Sequence, residues 1–357
     1  MTRPDRSKLL MRYTKNTMSK LRGVNLGGWL VLERWMTPSI FRHSQFQDEY
    51  SLASTESGVK KIEDHRKSFI KESDFAWMAK QGINAVRIPV GYWIFDGKFD
   101  ESVQEKPSIK YLDQAIRWAD KYGIVVLIDM HGAQGSQNGR DHSGKVGPAS
   151  WYRKREHRRA TVDTLIRLAE RYYTATNVWG YELLNEPKIG LFQIKLRLFY
   201  KRAMRELKKV ARPGVTIVFH DAFSPRLLSG TLQGAREYPV AMDIHWYQFT
   251  DFWRRVRSRK SYFKMVVRRA KLIEQISRFH PVIIGEWSAV LSKEFLDGLS
   301  VSEKRKLEKR NLHTQLRAYS GAGGWFYWSY KTEGSGSWNF RWLVERGLIT
   351  PADISKK

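Results

Sequence analysis

The chain has 357 residues, 42% of them hydrophobic, which suits one large domain or two ordinary ones with a sizeable core. It contains no cysteine, which excludes a disulfide framework and a thiolate metal site. It has no run of about 18 apolar residues, which excludes a membrane-spanning helix. Its 63 Lys and Arg against 36 Asp and Glu leave a net charge of +27. Such a surplus attracts nucleic acid, a membrane surface or an acidic polysaccharide, or simply coats a solvated basic surface. Zinc-finger spacing, glycine-rich phosphate loops and RNA-binding aromatic signatures are absent.

Residues 1–19 are basic, and their only apolar cluster is Leu9-Leu10-Met11. That is too short for the core of a secretory signal. They read as a solvated tail ahead of one domain over 20–357. With no such signal and no cysteine, the expected setting is cytoplasmic.

From there short apolar, β-branched runs alternate with longer amphipathic stretches. The runs are 21–28, 84–90, 123–131, 178–186, 214–221, 240–247, 281–288 and 321–330. IVVLIDM and TIVFHD are apolar nearly throughout, as strands buried on both faces should be. Between them, 108–123, 160–173 and 194–210 repeat apolar positions every three or four residues, and the first ends on Gly123, a helix-capping residue. Eight alternations of strand and helix are the signature of a single (β/α)8 TIM barrel, with longer loops near 31–60 and 132–155.

Chemistry in such a barrel sits at the C-terminal ends of the strands. Those ends offer Asn25 leading to Glu33, then Arg87, Asp129 with His131, Asn185 with Glu186, His245 with Tyr247, Glu286, and Trp328. Singly, each has a plain structural role: a rim histidine, a buried ion-pair partner, a core tryptophan, and for Asp129 a loop brace. Glu186 and Glu286 stand out as a pair, because two carboxyl groups flanking one bond are the usual machinery of glycoside hydrolysis. One must be protonated and the other ionised. Arg87 is a cation placed to keep Glu286 ionised. Tyr247 can hold that carboxylate, and His245 can position Glu186. Asn185 can donate to a sugar 2-hydroxyl, and Trp328 can supply the floor for a sugar ring. No cofactor and no metal ion is called for.

LRGVNLGGWLVLERWMTPSIF, NAVRIPVGYW, DMHGAQGSQNG, LLNEP, DIHWYQF, IIGEWSA and GWFYWSYKTE, in that order, resemble glycoside hydrolase family 5, and within it the exo-β-1,3-glucanase branch. The resemblance implies a retaining mechanism with Glu186 as acid/base and Glu286 as nucleophile, and carboxyl groups about 5–5.5 Å apart. It implies Arg87, His131, Asn185, His245, Tyr247 and Trp328 as the supporting shell. It implies Glu33 as a ligand for hydroxyls at the closed end of a glucose pocket, and Asn138 as a residue of the mouth. Arg140 and Thr250 stand where that branch carries two phenylalanines that clamp the second sugar, and Arg34 where proline is usual. The substrate expected is a β-glucan or short β-glucoside attacked from its end. Within the same class, an endo-β-1,4-glucanase or a glycolipid or oligosaccharide β-glucosidase remains open. In another class stands an idle carbohydrate-binding barrel, or a basic protein associated with nucleic acid.

Overall fold

The computed structural model describes residues 20–188, 193–233, 238–247 and 258–355. The expected tail over 1–19 and Thr250 lie outside them.

Eight parallel strands close into a barrel in sequence order: β1 (Leu21–Asn25), β2 (Ala85–Gly91), β3 (Val125–Gly132), β4 (Val178–Glu182), β5 (Thr216–His220), β6 (Val240–Trp246), β7 (Val282–Trp287) and β8 (Gly324–Tyr327). Each falls within or beside an expected run. β2, β5, β7 and β8 are buried along their whole length, which is why their sequences do not alternate. β4 stops earlier than expected. Past Glu182 the Leu183 and Asn185 N–H groups still reach the carbonyls of Val218 and Met130, both at 2.9 Å, so the backbone stays extended up to Glu186.

The helices outside are α1 (Glu49–Ala53), α2 (Glu56–Ser68), α3 (Glu72–Lys80), α4 (Ile109–Lys121), α5 (Arg155–Arg171), α6 (Gln193–Val210), α7 (Pro225–Leu228), α8 (Arg259–Ser277), α9 (Lys293–Leu296), α10 (Val301–Ala318), α11 (Phe340–Glu345) and α12 (Pro351–Ser355). α4 shows how they pack. It buries Tyr111, Leu112, Ala115, Ile116 and Ala119, one stripe at helical spacing, against the barrel. Burying each of the larger side chains contributes about 1.5–3 kcal/mol. Gly123, at φ +66°, then takes the left-handed turn that ends it. At α10, Ser300 and Glu303 cap each other's backbone N–H groups, and Ser300→Ala would cost about 1 kcal/mol. The stretch 31–60, expected as a loop, folds α1 and the start of α2. It covers a small separate apolar cluster that includes Leu32, Phe41, Ile62, Trp93 and Phe99.

Inside the barrel, residues two apart on a strand share a face. Leu21, Ala85, Leu127, Val218, Ala241, Ile283 and Phe326 form an apolar floor. Further along the same faces comes a fully buried polar layer of Asn25, Arg87, Asp129, Glu182, His220 and Asp243. Gly285 makes this layer possible. A Cβ there would lie 1.9 Å from the Asp243 carboxylate, whose Oδ1 accepts the Gly285 N–H at 2.6 Å.

Candidate active site

Arg87 rises from β2 into the centre of the polar layer with five N–H groups to satisfy. Nε donates to Glu182 Oε2 at 2.7 Å. Nη1 donates to Asn25 Oδ1 at 2.9 Å and to Glu286 Oε1 at 3.0 Å. Nη2 donates to Asn185 Oδ1 at 2.8 Å and meets Asp129 Oδ2 at 3.0 Å, while Asp243 Oδ2 stands 3.8 Å from Nε. Burial opposes the charge, but these carboxylates hold the guanidinium ionised.

Glu286 lies near the end of β7, where the pairing slips against β6 and against β8. Such a bulge re-aims a side chain, and Glu286 turns into the barrel. It accepts from the Tyr247 hydroxyl at 2.6 Å. Glu186 sits where the extended segment after β4 breaks, at φ +39°, an uncommon conformation for a residue with a side chain. Its Oε1 lies 2.8 Å from His245 Nδ1, its Oε2 3.5 Å from His142 Nε2, and its carbonyl accepts from Asn138 Nδ2 at 3.1 Å. The same His245 Nδ1 is 3.5 Å from Glu286 Oε2, so the two carboxyl groups meet over one ring nitrogen.

His245 places its other nitrogen 3.3 Å from Asp243 Oδ2. Burial disfavours the imidazolium, but Glu286, Asp243 and Glu186 outweigh it and raise the pKa well above the ordinary histidine value. Burial pushes Glu186 up, but the bond from His245 and the neighbouring histidines hold it below the usual carboxylate range. Burial raises Glu286, only partly countered by His245 and Arg87. Arg87 therefore touches Glu286 as expected without keeping it an ordinary acid, because four carboxylates share one guanidinium. These neighbours favour the imidazolium form of His245, one hydrogen bond from Glu186.

The remaining expected residues converge on the same end of the barrel. His131 Nδ1 is 2.6 Å from Asp129 Oδ2, its Nε2 is 3.5 Å from Asn185 Nδ2, and its ring lies parallel to Trp328 with centroids 5.6 Å apart. Asp129 is no loop brace: it lies on β3 inside the barrel, between Arg87 and His131. Glu33 accepts from Trp35 Nε1 at 2.8 Å, and burial together with Asp141 raises its carboxyl well above the usual range. Arg140 is exposed, its N–H bonded to Asn138 Oδ1 at 3.0 Å, and its charge helps depress His142.

The sequence reading did not single out Glu182, Asp243, His220, His142, Trp35 or Trp338. Asp243 and His245, like Asp129 and His131, are polar residues two apart in an apolar strand, which is the mark of one inward face. Trp35 is two residues from Glu33, and its ring packs 4.9 Å from Trp338, which lies 5.7 Å from Tyr247. A row of rings thus runs from the partner of Glu286 to the surface. Two overlapping sets, Glu186–His220–His245 and Glu182–Asp243–His245, bring ligand atoms within 4.8 Å of one another. In both, His245 already spends its nitrogens on carboxylates, so a metal ion would have to break that network.

A family model described as "Cellulase (glycosyl hydrolase family 5)" matches residues 49–334. A probable glucan 1,3-beta-glucosidase A of Aspergillus fumigatus is 34% identical over 387 aligned positions, covering 97% of this chain and 91% of its own. A sporulation-specific glucan 1,3-beta-glucosidase of Saccharomyces cerevisiae is 34% identical, covering 92% and 85%. The crystal structure of a rutinosidase from Aspergillus niger superposes with a TM-score of 0.80 at 20% identity, over 92% of this chain and 97% of its own, a likeness of fold.

Proposed function

The chain belongs to glycosyl hydrolase family 5, and from that premise we propose that it is a retaining β-glucosidase that removes glucose from the end of a β-1,3-glucan or a short β-glucoside. Glu186 and Glu286 are the proposed pair. The observation that carries the reading is their approach to a single nitrogen, at 2.8 and 3.5 Å. Retaining sites hold their carboxyl groups roughly 5–5.5 Å apart, whereas inverting sites need roughly 6.5–9.5 Å to admit a water.

In the first step a Glu286 oxygen bonds to the anomeric carbon, the glycosidic C–O bond breaks, and Glu186 gives a proton to the departing oxygen. In the proposed step that proton reaches Glu186 from His245, whose Nδ1 lies 2.8 Å from its Oε1. Arg87 and Tyr247 aim the Glu286 oxygens. Once Glu286 is an ester its negative charge is gone, which favours the ionised form of Glu186. Glu186 then takes a proton from water, the water oxygen bonds to the anomeric carbon, and Glu286 leaves. Two inversions give net retention.

Attack at the chain end is supported by Glu33 and Trp35, which together place polar atoms beside the glutamates, and by the names of the 34%-identical relatives. The test is the anomer formed first from an aryl β-glucoside, followed by NMR. β-Glucose first, with Glu186→Ala accepting azide to give a β-glycosyl azide and Glu286→Ala inert, is the expected result. α-Glucose first would sink the double displacement.

A further inference from the structure

Charge is unevenly spread around the barrel. α6 carries seven Lys and Arg against one Glu, and α8 six against one. α2, α3 and α4 together carry eight against seven acids. α6, α7 and α8 are neighbours: an Arg197 N–H bonds the Leu227 carbonyl, and Arg226 Nη2 lies 3.2 Å from Gln275 Oε1. This cationic sector is also where apolar side chains face water. Among the described residues nine large apolar side chains are exposed, and five of them lie here: Ile194 at 69%, Leu198 at 60%, Phe223 at 56%, Leu227 at 43% and Val267 at 56%.

The arrangement is built rather than incidental. Ile194 and Leu198 are four apart on α6 and share a face, with the exposed Lys201 continuing the line. After β5, Ala222 and Phe223 take φ +47° and +58° in succession, a left-handed pair that holds Asp221 inside and puts Phe223 outside. The Phe223 N–H bonds Asp221 Oδ1 at 2.9 Å and locks that bend. Between α7 and α8 opens a cavity of about 500 Å³ that joins this face to the site: Phe223, Pro225, Met265, Leu272 and Arg268 line it together with His245 and Tyr247.

We infer that the α6–α7–α8 face is an attachment site for an anionic lipid bilayer. A polyanion in water meets charges and leaves apolar side chains wet. A bilayer surface takes both, since exposed apolar residues enter the headgroup region while the surrounding Lys and Arg meet anionic lipid. The face lies beside the segments that follow β4 and β5, at the same end of the barrel as Glu186. Attachment would therefore hold the site mouth near the membrane.

The full chain is tested by co-sedimentation with phosphatidylcholine vesicles, with and without about 30 mol% phosphatidylglycerol. Wild type should bind the anionic vesicles only, and lose them as salt rises from about 0.05 to about 0.5 M. Ile194→Ser/Leu198→Ser/Leu227→Ser should weaken vesicle binding on the order of tenfold or more, with heparin retention and aryl β-glucoside hydrolysis unchanged. Lys201→Glu/Lys271→Glu, both exposed and outside that cavity, should weaken both vesicle and heparin binding and leave hydrolysis unchanged. Absence of vesicle binding by wild type overturns the inference. So does an apolar triple variant that binds as wild type does, which would make the face a polyanion site. Ile194→Ser alone supplies the same reading if the triple variant fails to fold.

Discussion

Arg66 and Arg87 are both buried guanidinium groups ringed by carboxylates, yet they sit in different kinds of site. Arg66, on α2, pairs with Glu49 at 2.5 Å and Glu105 at 2.6 Å and donates to the Leu30 carbonyl at 3.1 Å. Glu49 in turn accepts from Trp93 and from the Leu32 N–H. The cluster ties the segments after β1 and β2 to α2, and its Nε and one Glu105 oxygen are left without a partner. Arg87 has every N–H engaged, faces four acids, and touches one that lies at the proposed reaction centre. A buried ion pair is costly to break wherever it sits. What separates the two is whether the surplus acid is placed where a sugar can use it.

The sharpest test replaces each arginine with lysine, which keeps the charge and loses the five-donor fork. Arg87→Lys should lower kcat/KM on an aryl β-glucoside on the order of 10²–10³-fold, the cost of losing one well-placed electrostatic contact at a reacting group. Arg66→Lys should leave it within a few-fold. Equal losses in the two variants would erase the distinction. Arg66→Met acts on stability rather than on rate: it leaves Glu49 and Glu105 buried without their cation and should cost about 3–5 kcal/mol. Denaturant unfolding measures it. An additional Glu105→Gln should recover part of that loss, and a double variant no better than the single one would show that the pair is not the cause.

Asp221 supplies the third case, a buried carboxyl that accepts the Phe223 N–H at 2.9 Å and has a histidine ring at 3.5 Å in place of a guanidinium. Burial pushes its pKa up to about 7, whereas an unfolded aspartate titrates near about 4. The folded state then favours the protonated form. Its contribution to stability is complete below about pH 4 and is lost as pH rises towards 7, by at most about 1.4 kcal/mol per pH unit. Wild type should therefore lose stability relative to Asp221→Asn between pH 4 and 7. A gap between the two proteins that does not vary with pH would mean that the carboxyl is ionised in place.

Much of the fold was legible because each strand is a short apolar run ended by a polar residue and followed by a periodic helix. Glu33, Arg87, His131, Asn138, Asn185, Glu186, His245, Tyr247, Glu286 and Trp328 were legible as strand-end or motif residues, and the structure gathers them at one end of the barrel. The polar layer was not. Glu182 in VWGYE and Asp243 in VAMDIHW look like single interruptions of apolar strands. They acquire meaning only when the barrel closes and one arginine from β2 faces them all. The slip that turns Glu286 inward depends on pairing between strands, which a linear pattern does not carry. The shared Nδ1 of His245 is a distance relation between strands that strand-end positions do not specify.

Asp129, Glu182, Glu186, Asp243 and Glu286 crowd around Arg87 and His245 with Glu33 close by, and burial holds Glu33, Glu182 and Glu286 above the usual range. The cluster thus keeps protons where it lacks positive charge. A neutral sugar leaves that inventory alone. An iminosugar, whose ring nitrogen is an ammonium, brings the missing counter-charge and expels a proton as it enters. Its affinity should then climb with pH, by up to about tenfold per unit for each proton released, until the ammonium itself begins to lose its own.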